Sequence, residues 1–285
     1  MKDKKIYTYW FTFPALFIFS IFFLIPMITS IFFSMTVWNL KDFKFVGFQN
    51  FIQFFTERSL RIGIKNTLVY AFLTSGIKTV LAYGIAILLS GKLKTKNFLR
   101  AVVFFPNLIS TIAVGITFAA MMHPTKGLFN TVLQALHLPS INWLGNADTA
   151  IFSIVLADIW KGTGVGVIIF LAGILAVDRA YYEAADIDGA GVFQKIRYVT
   201  TPLVRPSLNT VIILSLIGGM RSFDLIWSMT KGGPGCATDV VASIVYKQYA
   251  AGYYGLSTAG NVILFLLIVI FVFPLRAYLL KKEEY

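Results

Sequence analysis

Long apolar stretches alternate with short polar connections along almost the whole 285-residue chain. A helix needs about 20 apolar residues to cross the hydrocarbon core of a membrane. Six stretches reach that length, so the pattern predicts an all-α, polytopic membrane protein that forms one domain over residues 1–285. The predicted spans are residues 10–36, 67–91, 101–122, 150–177, 207–229 and 257–280.

Two connections contain shorter amphipathic patterns. Phe48, Phe51, Ile52 and Phe55 recur at helical spacing before the second span, which predicts a short helix lying on the membrane face. The piece GLFNTVLQAL at 127–136 is predicted to lie on the surface in the same way. Because no connection is much longer than ~30 residues, no separate soluble domain is predicted.

The distribution of basic residues predicts the orientation of the six spans in the membrane. If the N-terminus is cytoplasmic, the connections on that side hold 14 Lys and Arg residues and those on the outer side hold 8. The positive-inside rule favours this arrangement, which places both termini and the connection 178–206 in the cytoplasm. The inner residues are Lys2, Lys4, Lys5, Lys92, Lys94, Lys96, Arg100, Arg179, Lys195, Arg197, Arg205, Arg276, Lys281 and Lys282. The outer residues are Lys41, Lys44, Arg58, Arg61, Lys65, Lys126, Lys231 and Lys247.

Composition excludes several other classes of protein. Only 13% of the residues are charged and 57% are hydrophobic, whereas a soluble domain carries roughly 25% charged residues. The net charge of +12 therefore fits basic loops beside anionic lipid better than it fits nucleic-acid binding.

The chain shows no pattern typical of a metal site or a catalytic site. Cys236 is the one cysteine, and His123 and His137 stand without an acidic or sulfur ligand set, so no disulfide and no metal site is predicted. No GxxxxGK[ST] loop, Ser/His, Cys/His or paired-carboxylate arrangement is present. Any ATP must therefore be bound by another chain, and the protein is not predicted to be an enzyme.

The cytoplasmic connection 178–206 is the most polar stretch in the second half of the chain. Asp178 is a good N-cap for a helix over 179–187, and Gly189 and Gly191 predict a bend after it. A second short helical piece follows, and two prolines precede the fifth span. These prolines are Pro202 and Pro206.

Within the predicted helix 179–187, three residues suit contact with a partner. Ala184 and Ala185 are small enough to enter a groove, and Glu183 offers a carboxylate to a basic residue. An ordinary solvated amphipathic loop remains the alternative interpretation, since docking helices use common residues.

The stretch EAADIDGAGVFQKIRYVTTPLVRP resembles the EAA motif of ABC importer permeases. The usual leucine before the proline is replaced by Thr201. The matching residues are Glu183, Ala184, Ala185, Gly189, Val199 and Pro202. Four further segments resemble, in order, the first span, first outer loop, fourth span and end of the fifth span of sugar-type permeases. They are FPALFIFSIFFLIPMITSIFFSM (13–35), FVGFQNF with NTL (66–68), DIWKGTGVGVIIFLAGILAV, and FDLIWSMTKGGPGCAT (223–238).

This resemblance implies the type I permease fold and a role in carbohydrate import across a bacterial-type inner membrane. Its implied partners are a second permease, two ATPase subunits that use ATP and magnesium, and an extracytoplasmic substrate-binding protein; the permease itself binds no cofactor. The ATPase-coupling residues would be Glu183, Ala184, Ala185, Asp188, Gly189 and Pro202. A permease for another solute such as glycerol-phosphate, or an ion-coupled secondary transporter, remains the alternative, although no inverted repeat favours the latter.

Five ionisable residues fall inside the predicted spans, where a charge costs roughly 2.5–3.5 kcal/mol on insertion scales. They are Lys78, Asp158, Lys161, Arg221 and Asp224. The pairs Asp158/Lys161 and Arg221/Asp224 have i, i+3 spacing and could neutralise themselves on one helix face. All five lie at similar predicted depth, so they either line a polar vestibule for a hydroxyl-rich substrate or form structural pairs between helices. The outer segment KGGPGCAT (231–238) is predicted to be a flexible turn.

Overall fold

The computed structural model describes residues 9–91 and 93–281. Lys2, Lys4, Lys5, Lys92 and Lys282, which entered the charge comparison, lie outside the described residues. The helices are α1 (Trp10–Ser34), α2 (Gln49–Thr56), α3 (Arg58–Ser90), α4 (Lys96–Leu108), α5 (Thr111–Met121), α6 (Leu128–Ala135), α7 (Ala147–Leu175), α8 (Arg179–Ile187), α9 (Val192–Leu203), α10 (Arg205–Met220), α11 (Asp224–Thr230), α12 (Val241–Ala250) and α13 (Tyr254–Lys281). A short antiparallel hairpin joins β1 (Thr36–Trp38) to β2 (Phe43–Phe45).

Within the described residues, four helices are long and apolar enough to cross a membrane: α1, α3, α7 and α13. Two bent helix pairs, α4 with α5 and α9 with α10, bring the number of possible spans to six. The mostly helical fold is confirmed, and the structure holds four to six candidate spans where six were predicted. The hairpin, which the apolar pattern did not predict, is the exception to an all-α chain.

The third span is not the continuous helix predicted over 101–122. Helices α4 and α5 meet at 95°. Pro106 lies near the end of α4, and Ile109 and Ser110 are extended, with ψ angles of 140° and 133°. A proline ring and an extended pair end the helical hydrogen-bond ladder there.

The fifth predicted span, 207–229, is also interrupted. Helix α10 ends at Met220, and α11 begins at Asp224 after a short non-helical stretch. Arg221 lies at the C-terminal end of one helix and Asp224 in the first turn of the next, so each charge complements a helix dipole. The two residues therefore do not share one helix face, and the predicted i, i+3 pair is wrong.

Helix α3 lies at the centre of the bundle and packs against α7 and α10. Tyr70 and Ala71 of α3 are fully buried. A Cβ atom on Gly219 would lie 2.7 Å from the Cα of Ala71, so the glycine allows α10 to approach α3 closely. Small residues at such contacts are the usual means of helix association in membranes.

The predicted amphipathic helix is confirmed as α2. Phe48, Ile52 and Phe55 are 56–65% exposed, whereas Phe54, which was not in the predicted stripe, is fully buried. The second predicted surface helix is confirmed as α6, and α12 is a helix that the sequence pattern did not predict.

The segment predicted to be a flexible turn is instead tied to neighbouring helices. Asp239 is 2% exposed, and its two carboxylate oxygens accept hydrogen bonds from Lys247 Nζ at 2.8 and 2.7 Å. Asn66 of α3 donates to the backbone oxygens of Ala237 and Asp239, both at 2.9 Å. These contacts hold the glycine-rich loop against α3 and α12.

Candidate functional site

The polar connection forms a helix–bend–helix, as predicted. The Asp178 carboxylate accepts a hydrogen bond from the backbone N–H of Ala180 at 3.0 Å and so caps α8. Helix α8 spans Arg179–Ile187, which are the predicted bounds, and α9 follows at Val192.

The bend depends on one glycine rather than two. Gly189 has φ +73°, a left-handed conformation that strongly favours glycine, whereas Gly191 has φ −71°. The backbone N–H of Gly191 donates to Gln194 Oε1 at 2.8 Å at the start of α9. An ion pair between Asp186 and Lys195 joins the two arms of the bend.

The helix α8 and the bend expose an unusual amount of apolar surface for a polar segment. Glu183 and Ala184 are exposed and Ala185 is half-buried. Beyond them, Ile187 is 88% exposed and Phe193 is 74% exposed. An exposed apolar patch beside charged residues is typical of a protein-docking surface.

Hydroxyl groups attach this segment to the bundle. Tyr182 and Thr200 hydroxyls lie 3.1 Å apart, and the Thr201 hydroxyl lies 2.6 Å from that of Tyr83 on α3. Thr201, which replaces the motif's usual leucine, therefore has a hydrogen-bond partner in Tyr83. Pro202 follows within α9, one residue before that helix ends and the chain bends by 72° into α10.

Two of the five charges inside the predicted spans pair between helices. Lys78 Nζ on α3 lies 2.7 Å from Asp158 Oδ2 on α7, and their side chains are only 12% and 18% exposed. This contact places the two residues at the same level of the helix bundle. The partner of Asp158 is Lys78, however, and not Lys161 at i+3.

Lys161 supports the break between α4 and α5. Its ammonium donates to the backbone oxygen of Ile109 at 2.9 Å and more weakly to that of Asn107 at 3.4 Å. These carbonyls lie at the C-terminal end of α4, where no helical N–H is available to them.

The other two charges remain apart from this group. Arg221 and Asp224 are exposed, and neither forms an ion pair within the described residues. The break between them contacts α3 through Ser222, whose hydroxyl lies 3.4 Å from that of Tyr70.

A cavity of about 190 Å³ lies beside Lys78, between α7 and α10. Gly162, Gly166 and Gly218 contribute to its wall, and Ser215 adds a hydroxyl. A Cβ atom on Gly162 would lie 2.7 Å from Lys78 Nζ, so the glycine makes room for the ammonium. Among the described residues, no three His, Cys, Asp or Glu side chains are grouped as a metal ion would require.

Up to six candidate spans, the exposed EAA-like helix and the partly buried charge pair are features expected of a membrane transport component. Residues 78–284 match the family described as the binding-protein-dependent transport system inner membrane component, and the chain belongs to this family. It is a multi-pass inner-membrane protein.

Similar proteins include the trehalose/maltose transport system permease protein MalF of Thermococcus litoralis, which is 34% identical over 90% of this chain and 88% of the relative. The arabinooligosaccharides transport system permease protein AraP of Bacillus subtilis is 33% identical, with 96% and 89% covered. Among solved structures, a bacterial ABC transporter that imports the polysaccharide alginate has a TM-score of 0.84 at 22% identity, over 96% of this chain and 94% of that one. This structural likeness supports the ABC importer permease fold for this chain.

Proposed function

We propose that the chain is the permease subunit of an ATP-driven importer that moves a saccharide across the inner membrane by alternating access. The exposed helix α8 carries this proposal. It presents Glu183 and Ala184 to the surface beside the apolar side chains of Ile187 and Phe193. A short helix with an exposed apolar and acidic surface is a common way to seat in a groove of a partner.

The partner at α8 would be an ATPase subunit in the cytoplasm. The bias of basic residues supports a cytoplasmic position for α8 and for both termini. Two ATPase subunits would use ATP and magnesium, and their closure would move α8 of this chain and the matching helix of a second permease. Asp188, Gly189 and Pro202 would shape the docked segment, while this chain would catalyse no covalent step and bind no cofactor.

The proposed substrate is a saccharide delivered by an extracytoplasmic binding protein. The names of the trehalose/maltose and arabinooligosaccharide relatives support this class. The solved alginate transporter has also been seen in complex with a periplasmic protein that holds an alginate pentasaccharide.

The intramembrane charges would border the route of the substrate. Lys78, the ion-pair partner of Asp158, lies on the wall of the glycine-lined cavity together with Ser215, which supports a polar patch there. Arg221 and Asp224 are exposed at the break between α10 and α11, where ionised groups could meet water or substrate hydroxyls. Lys161 would act indirectly, because its hydrogen bonds fix the bend between α4 and α5.

Charge reversal at Glu183 tests the docking proposal. The variant Glu183→Lys should lose most of the ATPase subunit that copurifies with the wild-type permease, because a lysine would face the basic residue expected on the partner. The matched control Asp42→Lys makes the same charge change in the exposed hairpin turn and should retain the ATPase. Equal copurification with both variants would contradict a role for Glu183 in docking.

A further inference from the structure

A second, larger cavity lies at the end of the bundle opposite α8. Its volume is about 640 Å³, and it lies between the β1–β2 hairpin, α2, the start of α3 and the turn from α12 to α13. Helix α3 connects the two ends of the bundle. Glu57, the residue before α3, lines this cavity, and Ser90, the last residue of α3, lies near α8. We call this cavity the rim pocket. Its lining includes Trp38, Asn39, Gln53, Glu57, Gln248 and Tyr253.

The walls of the rim pocket are held by specific contacts. Asn50 is buried, and its amide nitrogen donates to the backbone oxygens of Ser34 at 2.8 Å and Thr36 at 2.9 Å, which ties α2 to the hairpin. Trp38 stacks on Phe33, with ring centroids 4.2 Å apart. The pocket is therefore formed by ordered elements before any ligand arrives, as most small-molecule sites are.

The polar side-chain groups of the rim pocket are amides, one carboxylate, the Tyr253 hydroxyl and the Trp38 indole N–H. The Glu57 carboxylate accepts hydrogen bonds from Ser59 Oγ at 2.8 Å and Gln53 Nε2 at 3.1 Å. These bonds, that from Ser59 foremost, lower the pKa of Glu57 below its ordinary value, so the group is ionised at neutral pH. A carboxylate has about four acceptor positions, so two bonds leave capacity for ligand hydroxyls.

Among the residues that the structure describes, no lysine or arginine lines this pocket. An anionic ligand such as a phosphoester would therefore meet the negative charge of Glu57 without a compensating cation. A neutral polyhydroxylated ligand suits the pocket better, because its hydroxyls can donate to Glu57 and exchange hydrogen bonds with Asn39, Gln53 and Gln248. The rings of Trp38 and Tyr253 can cover the apolar C–H face of a sugar ring.

We propose that the rim pocket is a subsite for one or two units of a neutral saccharide at the outer end of the permease. This inference rests on the proposed import function and adds a site that is separate from the intramembrane charges. Lys78 lies 21 residues beyond Glu57, about 30 Å along α3 at ~1.5 Å per residue. A chain of sugar units leaving the binding protein could be held at this rim while its other end enters the bundle.

Direct binding to the purified permease–ATPase complex, without the binding protein, tests the subsite. Maltose, trehalose, an arabinooligosaccharide and diacetylchitobiose are titrated calorimetrically into the complex in nanodiscs. At least one should bind saturably, and the double variant Gln53→Leu/Gln248→Leu should weaken its Kd by about tenfold or more, because ligand hydroxyls would lose their partners. The control Gln49→Leu alters an exposed glutamine one turn earlier on α2, outside the pocket lining, and should leave Kd within about twofold of wild type.

Three results would overturn the subsite. They are the absence of saturable binding for every saccharide, an unchanged Kd in the double variant, and tighter binding of glycerol 3-phosphate than of the neutral saccharides. Melting temperatures of all variants check that the fold is kept.

Parallel uptake assays separate this inference from the import function. ATP-driven uptake of a saccharide without variant-sensitive binding would leave the import function standing and refute the subsite. Variant-sensitive binding without ATP-driven uptake of any tested saccharide would support the subsite and contradict the import function.

Discussion

At the scale of single residues, three of the five charges inside the predicted spans are stabilised by partners on other helices. Lys78 and Asp158 form an ion pair across α3 and α7 at 2.7 Å, and Lys161 binds carbonyl oxygens at the end of α4. Each contact offsets part of the cost of placing a charge in hydrocarbon, and each also fixes a helix to its neighbour.

Removal of one partner from the Lys78–Asp158 pair should destabilise the permease strongly. The variant Lys78→Met leaves a nearly buried carboxylate without its cation, which costs about 3–5 kcal/mol for a buried pair. The double variant Lys78→Met/Asp158→Leu removes both charges and should recover most of the lost stability. The melting temperature of the purified protein measures both effects, and a single variant as stable as the wild type would contradict this account of the pair.

Sequence reasoning could find these charges but not their partners. The low frequency of charged residues within apolar stretches identifies Lys78, Asp158 and Lys161 as residues that need a compensating contact. Spacing along the chain indicates only partners on the same helix, so the sequence predicted Lys161 as the partner of Asp158. The true partner is 80 residues away, and the pairing depends on which helices are adjacent, which apolar periodicity does not specify.

At the scale of elements, two of the predicted spans are bent or interrupted and one polar segment is as regular as predicted. The break at Ile109–Ser110 and the break between Met220 and Asp224 both lie inside stretches that are long and apolar enough overall to predict one continuous span. The helix–bend–helix of 178–203, in contrast, carries local signals that fix it: an aspartate cap and a glycine with positive φ.

The two glycines of the bend should respond differently to alanine. In Gly189→Ala a Cβ atom would have to adopt φ +73°, at a cost of roughly 1–2 kcal/mol, so the angle between α8 and α9 should change and ATPase binding should weaken by about tenfold. Gly191→Ala is the matched control, because φ is −71° and the nearest atom to a new Cβ lies 3.7 Å away. Titration of the ATPase subunit onto both variants measures the difference. Equal affinities would show that the left-handed conformation at Gly189 is not needed.

The elements that sequence reasoning missed share a physical cause. Helix α12 and the β1–β2 hairpin lie in connections, where apolar periodicity is short and tertiary contacts decide the structure. Asp239, which binds Lys247 and Ser243, organises the loop before α12, yet in the sequence it follows a glycine-rich stretch that is typical of a flexible turn.

At the scale of the whole molecule, the two ends of the bundle present different chemistry. One end exposes the apolar and acidic surface of α8, which suits a protein partner. The other end holds the rim pocket, which suits a neutral hydroxylated ligand. Helix α3 connects the two ends, and the charge pair between α3 and α7 lies between them, so movement of packed helices at one end can reach the other.

In the proposed function, this chain couples ATP hydrolysis by a partner to import of a saccharide through α8. Uptake of radiolabelled saccharide into proteoliposomes that contain the full complex tests it most directly. We expect uptake that requires both ATP and the binding protein, and that falls by more than about tenfold in Glu183→Lys, because loss of one desolvated charge contact costs about 2–5 kcal/mol. Uptake by this chain alone, without ATP, or unchanged uptake in Glu183→Lys, would contradict the claim.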